Sequence, residues 1–292
     1  MEVDHPKIGV VGVGHLGQHH VKHLTEMKYI SFPGIYDKDR ARAKKIASTY
    51  KTKSFDSLKE LINECDGLTI VTPTADHYNT ALQCIQKGKH VFIEKPISDS
   101  VESADILLRE AAKNAVIVQV GHIERLNPAL LAIKNYELDP RFIEIQRLAP
   151  YTSRGTDVPV VLDLMIHDID ILLCFVDSKV KSVAATGLSI MTDSVDIAHA
   201  RIQFKNGTVG SLTSSRIAKD KVRKIKLFQK NMYITIDMLL TLSEVYRVVD
   251  EDKSHRKFAA QLDYKGTHRK IVYEKPEIQK KRPASDGTRE FR

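Results

Sequence analysis

Three glycines near the amino end constrain the fold of this chain most. Gly12, Gly14 and Gly17 form the pattern G-x-G-x-x-G directly after a short apolar segment. In a strand–turn–helix unit the first glycine permits a tight turn, the second lets the backbone approach a pyrophosphate, and the third lets the helix pack on the strand. The N–H groups that begin the helix then face the phosphates. The pattern therefore predicts a dinucleotide-binding unit.

A carboxylate stands in register with this turn. Asp37 ends a second apolar segment, 20 residues after Gly17, where an acid that binds the ribose is expected. A carboxylate accepts hydrogen bonds from the 2′-hydroxyl of NAD and repels the 2′-phosphate of NADP, so we predict NAD. Lys38 and Arg40 follow closely, which leaves NADP disfavoured but open. The predicted cofactor-binding residues here are Gly12, Val13, Gly14, His15, Leu16, Gly17 and Asp37. The alternative is that the glycines serve only a strand-to-helix turn.

Length and composition indicate two domains. The chain has 292 residues, 42% of them hydrophobic, and we expect a cofactor domain at 1–122 and a substrate-binding and oligomerisation domain at 123–292. No segment approaches the roughly 20 apolar residues of a membrane span, and the amino terminus lacks a secretory pattern. We therefore expect a cytoplasmic protein without a membrane partner.

The cysteine spacing and the charge distribution argue against a disulfide-bonded protein, a metal site and a nucleic-acid-binding protein. Cys65, Cys84 and Cys174 lie far apart without a C-x-x-C pair, which indicates buried thiols and neither disulfides nor a metal site. The net charge is +8, but the basic residues are scattered apart from two short stretches, so a solvated surface is expected and no nucleic-acid partner. A positive field would also favour an anionic substrate such as a nucleotide sugar.

The first half alternates apolar runs with helical segments. Strands are predicted at 51–55, 67–72, 90–93 and 116–120. Helices are predicted at 39–50, at 57–63, from after His77 to about Lys87, and from about 100 to 114. Ser57 is expected to cap the helix at 57–63. This alternation predicts a parallel sheet covered on both faces, with ligand groups at the carboxyl ends of its strands. The residues expected to line the cofactor path at one such end are Thr72, Pro73, Thr74 and His77.

The next strand end carries Glu94, Lys95 and Pro96. Behind a Rossmann fingerprint, this tripeptide resembles the signature of the glucose-fructose oxidoreductase, inositol dehydrogenase and rhizopine-catabolism family, Gfo/Idh/MocA. The resemblance implies that Lys95 lies near the nicotinamide and polarises the reacting hydroxyl or carbonyl of a sugar. It also implies that Pro96 holds the turn, usually through a cis peptide, and that Glu94 and Pro96 shape the nicotinamide pocket. The alternative is an ordinary exposed loop.

A second motif lies in an apolar segment at 158–173, which predicts a helix. Asp163 and His167 are four residues apart, and on a helix this spacing places both side chains on one face. The spacing is similar to the remaining part of the family's catalytic set, in which the histidine is the general base and the aspartate orients the substrate or tunes the histidine. Asp168 and Asp170 lie nearby, and a helix-surface position is the alternative for both. The alternative for His167 is a core histidine.

The run from 121 to 128 is similar to family members that act on UDP-linked amino sugars, including UDP-N-acetylglucosamine 3-dehydrogenases. By this resemblance Arg125 binds substrate and Asn127 the cofactor. We expect a hydride transfer between the nicotinamide and a secondary hydroxyl or ketone of a sugar. Alternatives are an inositol or free aldose dehydrogenase, a more distant reductase of the biliverdin type, and a sensor that binds NAD(P) without catalysis.

The family's substrate domain is an α+β unit with a large, open, mostly antiparallel sheet. Candidate strands are 142–148, 180–188, 198–204, 208–214, 222–229 and 232–236. Asn206 and Gly207 predict a tight hairpin independently of the resemblance. The expected fold is thus an α/β Rossmann unit with a doubly wound parallel sheet, followed by this α+β domain. Its uncovered sheet face predicts a homodimer or homotetramer. The tail from about 278 is expected to be disordered or truncated.

Overall fold

The structure is a computed structural model that describes residues 5–152, 158–250, 258–264 and 267–278. The chain divides into two compact units, Met1–His122 and Ile123–Arg292. Each unit has its own cluster or clusters of buried apolar side chains. The assignment of the units as domains with separate tasks stays a prediction. The predicted disorder of the carboxyl-terminal tail falls almost wholly outside the described residues.

The first unit is a parallel five-stranded sheet with the strand order β2-β1-β3-β4-β5 in its described part. The strands are β1 (Ile8–Val11), β2 (Ile35–Tyr36), β3 (Gly67–Ile70), β4 (His90–Ile93) and β5 (Val118–Val120). The helices are α1 (His15–Glu26), α2 (Arg40–Tyr50), α3 (Leu58–Glu64), α4 (Thr74–Gln86) and α5 (Val101–Lys113).

Both faces of this sheet are covered. Val10 and Val11 are neighbours in β1, so their side chains point to opposite faces. They belong to two different buried clusters. β3 is buried along its whole length, as expected for a central parallel strand. The predicted doubly wound sheet is confirmed.

One predicted strand of this unit is wrong, and one predicted cap is confirmed. Segment 51–55 makes a single bridge, between Ile35 and Ser54, because Lys51 ends α2 in the left-handed conformation (φ 52°) and leaves few residues to extend. Ser57 caps α3 by accepting a hydrogen bond from the amide of Glu60 at 3.2 Å.

The second unit contains a nine-stranded sheet in its described part, in the order β13-β14-β12-β11-β10-β6-β9-β8-β7. All neighbours are antiparallel except β6 and β9. The strands are β6 (Phe142–Leu148), β7 (Val180–Leu188), β8 (Ile197–Phe204), β9 (Val209–Ser215), β10 (Val222–Gln229), β11 (Met232–Asp237), β12 (Leu242–Asp250), β13 (Phe258–Tyr264) and β14 (Thr267–Glu274). All six predicted strands are present, and the last three were missed.

Helical segments line one side of this sheet. They are a 3₁₀-helix (Ile123–Leu126), α6 (Pro128–Leu131), a π-helix (Val161–Met165) and α7 (Ile166–Phe175). α7 packs so closely on β9 that a Cβ at Gly210 would lie 2.5 Å from the Leu172 side chain. The predicted hairpin joins β8 to β9, and Gly207 adopts the positive φ of 89° that its turn requires. The large, mostly antiparallel sheet is therefore confirmed.

The structure also bears on the cysteines and on membrane-spanning helices. Cys65 and Cys84 are buried, and burial raises the pKa of each thiol to about 12. Cys174 is only half-buried, because it follows the exposed Leu173 on the outer side of α7, so the expectation of three buried thiols is wrong for this residue. Within the described ranges, no helix combines the length and the apolar character that crossing a bilayer would take.

Candidate active site

The glycine turn connects β1 to α1. A Cβ at Gly12 would lie 2.7 Å from the Val71 carbonyl oxygen, and one at Gly17 would lie 2.0 Å from the Gly12 carbonyl oxygen, so neither position accepts a side chain. Gly14 differs, because apart from its own chain neighbours no described residue comes within 4 Å of the Cβ that it lacks. Gly14 is also the N-cap of α1 and provides no side-chain hydrogen bond to the first turn. An open space beside a helix N-terminus fits the pyrophosphate of a dinucleotide.

The predicted ribose-binding acid lies beside this turn. Asp37 is buried, and its Oδ2 accepts a hydrogen bond from the Val13 amide at 2.8 Å. Its Oδ1 accepts one from the Asp39 amide, also at 2.8 Å. The backbone therefore holds the carboxylate at the end of β2, and Oδ1 keeps a further lone pair for a ribose hydroxyl.

Basic side chains around Asp37 differ in what they contact. Lys38 pairs with Asp76 at 2.6 Å, and this hydrogen bond raises the pKa of Lys38. Arg42, which no sequence motif indicates, lies 3.5 Å from Asp37. It also pairs with Asp39 in the same turn of α2. Of the other residues predicted to bind the cofactor in this region, His15 and Leu16 are exposed and Val13 is buried.

The turn that carries Lys95 follows β4. The Lys95–Pro96 peptide is cis, as the resemblance implies. Glu94 is held from two sides, since its amide donates to the Ile70 carbonyl at 3.0 Å and its Oε1 lies 3.1 Å from Nε2 of His20. A Cβ at Gly121 would lie 3.0 Å from the Glu94 carboxylate, so Gly121 makes room for it. Lys95 itself is half-buried.

The residues expected to line the cofactor path lie where β3 leads into α4. Thr72 and Pro73 connect the two elements, and Thr74 begins the helix. The His77 ring is buried, and its Nδ1 and Nε2 contact the carbonyl oxygens of Pro96 and Thr72. A direct contact between His77 and a cofactor stays a prediction.

In the second unit, Asp163 and His167 lie on two different kinds of helix. Asp163 belongs to the π-helix, and His167 lies in the first turn of α7. The apolar pattern predicts one continuous helix here and does not reveal this irregular turn. Such π-turns are frequent at functional sites. Both side chains are half-buried, and their catalytic roles stay predictions.

The helix-surface alternative for Asp168 and Asp170 is wrong, because both are buried. Asp168 is 1% exposed, and its Oδ1 accepts a hydrogen bond from Nε of Arg147 at 2.9 Å. Burial raises the pKa of the Asp168 carboxyl, and the Arg147 guanidinium opposes that rise. Glu124 lies between Arg147, at 3.5 Å, and Arg223, at 3.1 Å. Arg147 is buried on β6 and needs a partner of opposite charge, and Asp168 is buried because it provides that partner.

Arg125 and Asn127 are held within the second unit. Arg125 makes two hydrogen bonds to the buried Asp170, one of them from Nε to Oδ2 at 2.6 Å. Asn127 caps α6 by accepting a bond from the Ala129 amide at 3.0 Å, and its amide group donates to Met238. The predicted roles of Arg125 in substrate binding and of Asn127 in cofactor binding stay predictions. In the described residues, no group of three or more His, Cys, Asp or Glu side chains could hold a metal ion.

Both units match known family sequences. Residues 6–122 match the Gfo/Idh/MocA oxidoreductase family, described by its NAD-binding Rossmann fold, and residues 139–234 match the Gfo/Idh/MocA C-terminal domain. These matches confirm the resemblance inferred from the motifs, and they confirm NAD as the cofactor expected for this fold.

Individual relatives extend over most of the chain. UDP-N-acetylglucosamine 3-dehydrogenase of Acidithiobacillus ferrooxidans is 35% identical over 243 residues, which are 83% of this chain and 77% of that protein. A solved structure of that enzyme has a TM-score of 0.81 and 34% identity, and the match covers 84% of this chain and 81% of the other. Myo-inositol 2-dehydrogenase of Thermotoga maritima is 28% identical, covering 73% of this chain and 69% of that protein. This chain therefore belongs to the Gfo/Idh/MocA family of NAD-binding oxidoreductases.

Proposed function

We propose that this protein is an NAD-dependent dehydrogenase that oxidises a secondary hydroxyl of a UDP-linked amino sugar, or reduces the corresponding ketone. The observation that carries the proposal is the Lys95 turn, which Glu94 and Pro96 anchor at the carboxyl end of β4 in a Rossmann unit. Ligands bind at the carboxyl ends of the strands in such sheets. The 35% identity to a UDP-N-acetylglucosamine 3-dehydrogenase favours an amino sugar linked to UDP.

Three side chains carry the chemistry of this proposal. When bound, NAD supplies the nicotinamide that accepts the hydride. His167 takes the proton of the hydroxyl that is oxidised, as a general base. The Lys95 ammonium stabilises the negative charge that develops on the substrate oxygen. Asp163 orients the sugar or tunes His167.

The remaining assignments concern binding. The glycine turn and the first turn of α1 hold the pyrophosphate, and Asp37 binds the ribose. Thr72, Pro73 and Thr74 line the path of the cofactor at the end of β3, while Glu94 and Pro96 shape the nicotinamide pocket. Arg125 and Asn127 contact the substrate and the cofactor, respectively, in addition to the bonds that hold them in place.

Inositol oxidation is the second candidate, because an inositol dehydrogenase is similar over most of the chain. A panel of sugars separates the two. Purified protein is mixed with NAD and, separately, with UDP-N-acetylglucosamine, inositol or glucose, and nicotinamide absorbance is followed. The proposal expects reduction of NAD with the UDP-sugar alone. Reduction with inositol alone would instead assign the second candidate.

We also propose that the protein assembles into a homodimer or homotetramer through the sheet of its second unit. Five aromatic rings stand side by side across five strands, with successive centroids 4.8 to 5.7 Å apart. They are Phe142, Phe228, Tyr233, Tyr246 and Tyr273, and each lies directly opposite the next in the strand register. Their chain neighbours, such as Leu227 and Ile234, are buried, so the rings lie on the opposite face.

The exposure of this aromatic row supports an interface. Phe142 and Phe228 are 39% and 36% exposed. Aromatic residues are enriched in the buried centres of interfaces.

We further propose that the protein is cytoplasmic. The three cysteines are free thiols, as is typical of proteins in a reducing compartment.

A further inference from the structure

His77 occupies an unusual place in the first unit. It lies in the first turn of α4 and its side chain is 1% exposed. Nδ1 of its ring is 2.7 Å from the carbonyl oxygen of Pro96, and Nε2 is 2.9 Å from the carbonyl oxygen of Thr72. The ring therefore bridges the backbone after β3 to the backbone after β4.

Both partners of the ring are acceptors. A neutral imidazole donates through one nitrogen and turns a lone pair toward the other partner. Only a ring with a proton on each nitrogen donates to both carbonyl oxygens. Because both nitrogens are occupied by the backbone and the ring is buried, His77 has no exposed nitrogen to offer a cofactor.

The bridge ends at the residue that follows Lys95. On the other side of Lys95, Glu94 is bonded to Ile70 and His20. The residues on both sides of Lys95 are thus tied to neighbouring elements: the Glu94 backbone to β3, the Glu94 carboxylate to His20 of α1, and the Pro96 carbonyl to His77 of α4. A side chain that must reach a substrate oxygen within hydrogen-bond distance benefits from such support, since a shift of about 1 Å can cost roughly 100-fold in rate.

We propose that His77 is a positioning residue that fixes the Lys95 turn, and that it does not line the cofactor path. The inference rests on the proposed function, in which Lys95 contacts the reacting oxygen. It assigns the role of His77 to turnover and not to affinity for NAD. His77 acts only through Lys95, so its loss should matter little once Lys95 is gone.

A double-mutant cycle tests this dependence. His77→Phe keeps a ring but loses both contacts, and we expect kcat to fall roughly 10- to 100-fold. The Kd for NADH, measured by fluorescence, should stay within about twofold. In a Lys95→Ala background, the same substitution should change kcat by less than about threefold. If His77→Phe does not fold, the smaller His77→Asn replaces it in the cycle.

His90→Phe is the matched control. His90 also bonds the backbone through its ring, accepting from the Ile117 amide at 3.0 Å, but at the opposite end of β4. Its variant should keep the parent's kcat and Kd. A rise in the Kd for NADH with unchanged kcat in His77→Phe would overturn the proposal in favour of a direct cofactor contact. The proposal would also be overturned if the fold-losses in kcat from His77→Phe and Lys95→Ala multiply in the double variant.

A readout without activity separates this inference from the proposed function. We expect amide hydrogen exchange in residues 92–99 to be faster in His77→Phe than in the parent or in His90→Phe. If Lys95→Ala keeps full turnover, the proposed function fails, while faster exchange still supports His77 as the support of the turn. Unchanged exchange would overturn the inference whatever the activity shows.

Discussion

Gly14 and Gly17 lie in the same turn but respond differently to an added methyl group. Apart from its chain neighbours, a Cβ at Gly14 meets no described residue within 4 Å, and its φ of −63° is open to any residue. We therefore expect Gly14→Ala to keep the parent's melting temperature. Its methyl group would occupy the space assigned to the pyrophosphate, so the Kd for NAD should rise by about tenfold or more. Titration of the protein with NADH measures the effect.

Gly17→Ala is the contrasting variant. Its Cβ would lie 2.0 Å from the Gly12 carbonyl oxygen, so the helix must move away from the strand. We expect it to destabilise the protein by about 1–3 kcal/mol.

The Gly14 variant tests the cofactor site itself. Unchanged affinity for NADH in a folded Gly14→Ala protein would contradict the assignment of the space beside Gly14 to the cofactor.

The roles of residues within short motifs were predictable from the sequence. The contacts of residues whose partners lie far away along the chain were not. The glycines and Asp37 belong to a motif whose spacing carries its own physical reason. The bridge made by His77 depends on Pro96, 19 residues away, and the burial of Asp168 depends on Arg147, 21 residues away. No periodicity in the sequence reports such pairs.

At the scale of elements, α7 is held to β6 by a buried charge pair. Arg147 is 2% exposed and Asp168 is 1% exposed. Removing one partner leaves the other charge buried without compensation, and this typically costs about 3–5 kcal/mol. We expect Arg147→Met to lower the free energy of unfolding by that amount, measured by urea denaturation.

The matched double variant separates pairing from packing. Arg147→Met combined with Asp168→Leu removes both charges, and such replacements are often neutral or stabilising. We therefore expect the double variant to be more stable than Arg147→Met alone. A double variant that is less stable than either single one would show that Glu124 and Arg223 depend on the same pair.

Element prediction succeeded where the pattern was strong. The strands at 180–188 and 222–229 were predicted with the observed bounds. β12, β13 and β14 were missed, although Val245, Tyr246, Val248 and Val249 form a run of β-branched and aromatic residues that would have indicated β12. The π-helix before α7 could not be predicted, because apolar periodicity does not distinguish it from the first turn of an α-helix.

At the scale of the whole molecule, the aromatic row of the second unit determines assembly in our proposal. Tyr233 lies in the middle of the row and stacks on Phe228 with a centroid distance of 4.8 Å. Tyr233→Glu would place a charge in the proposed interface. We expect sedimentation velocity to show smaller species for this variant than for the parent at the same concentration.

Val183→Glu is the control for this experiment. Val183 is an exposed apolar residue in β7, and it is paired with the buried Ile202, so it lies on the other face of the sheet. We expect this variant to sediment like the parent. A parent protein that stays monomeric at high concentration would contradict assembly through this sheet.

The aromatic row also shows why architecture is easier to predict than surface. A large open sheet followed from the resemblance and from the hairpin at Gly207. The row could not be predicted, since Tyr246 and Tyr273 lie in strands that were missed, and only the register places them opposite each other.

The most direct test of the central claim is hydride transfer with and without Lys95. Nicotinamide absorbance is followed with NAD and UDP-N-acetylglucosamine for the parent, Lys95→Ala and the control Lys113→Ala, which changes an exposed lysine of α5. We predict that Lys95→Ala lowers kcat about 100-fold or more while Lys113→Ala matches the parent. Equal turnover in the parent and Lys95→Ala would contradict the account.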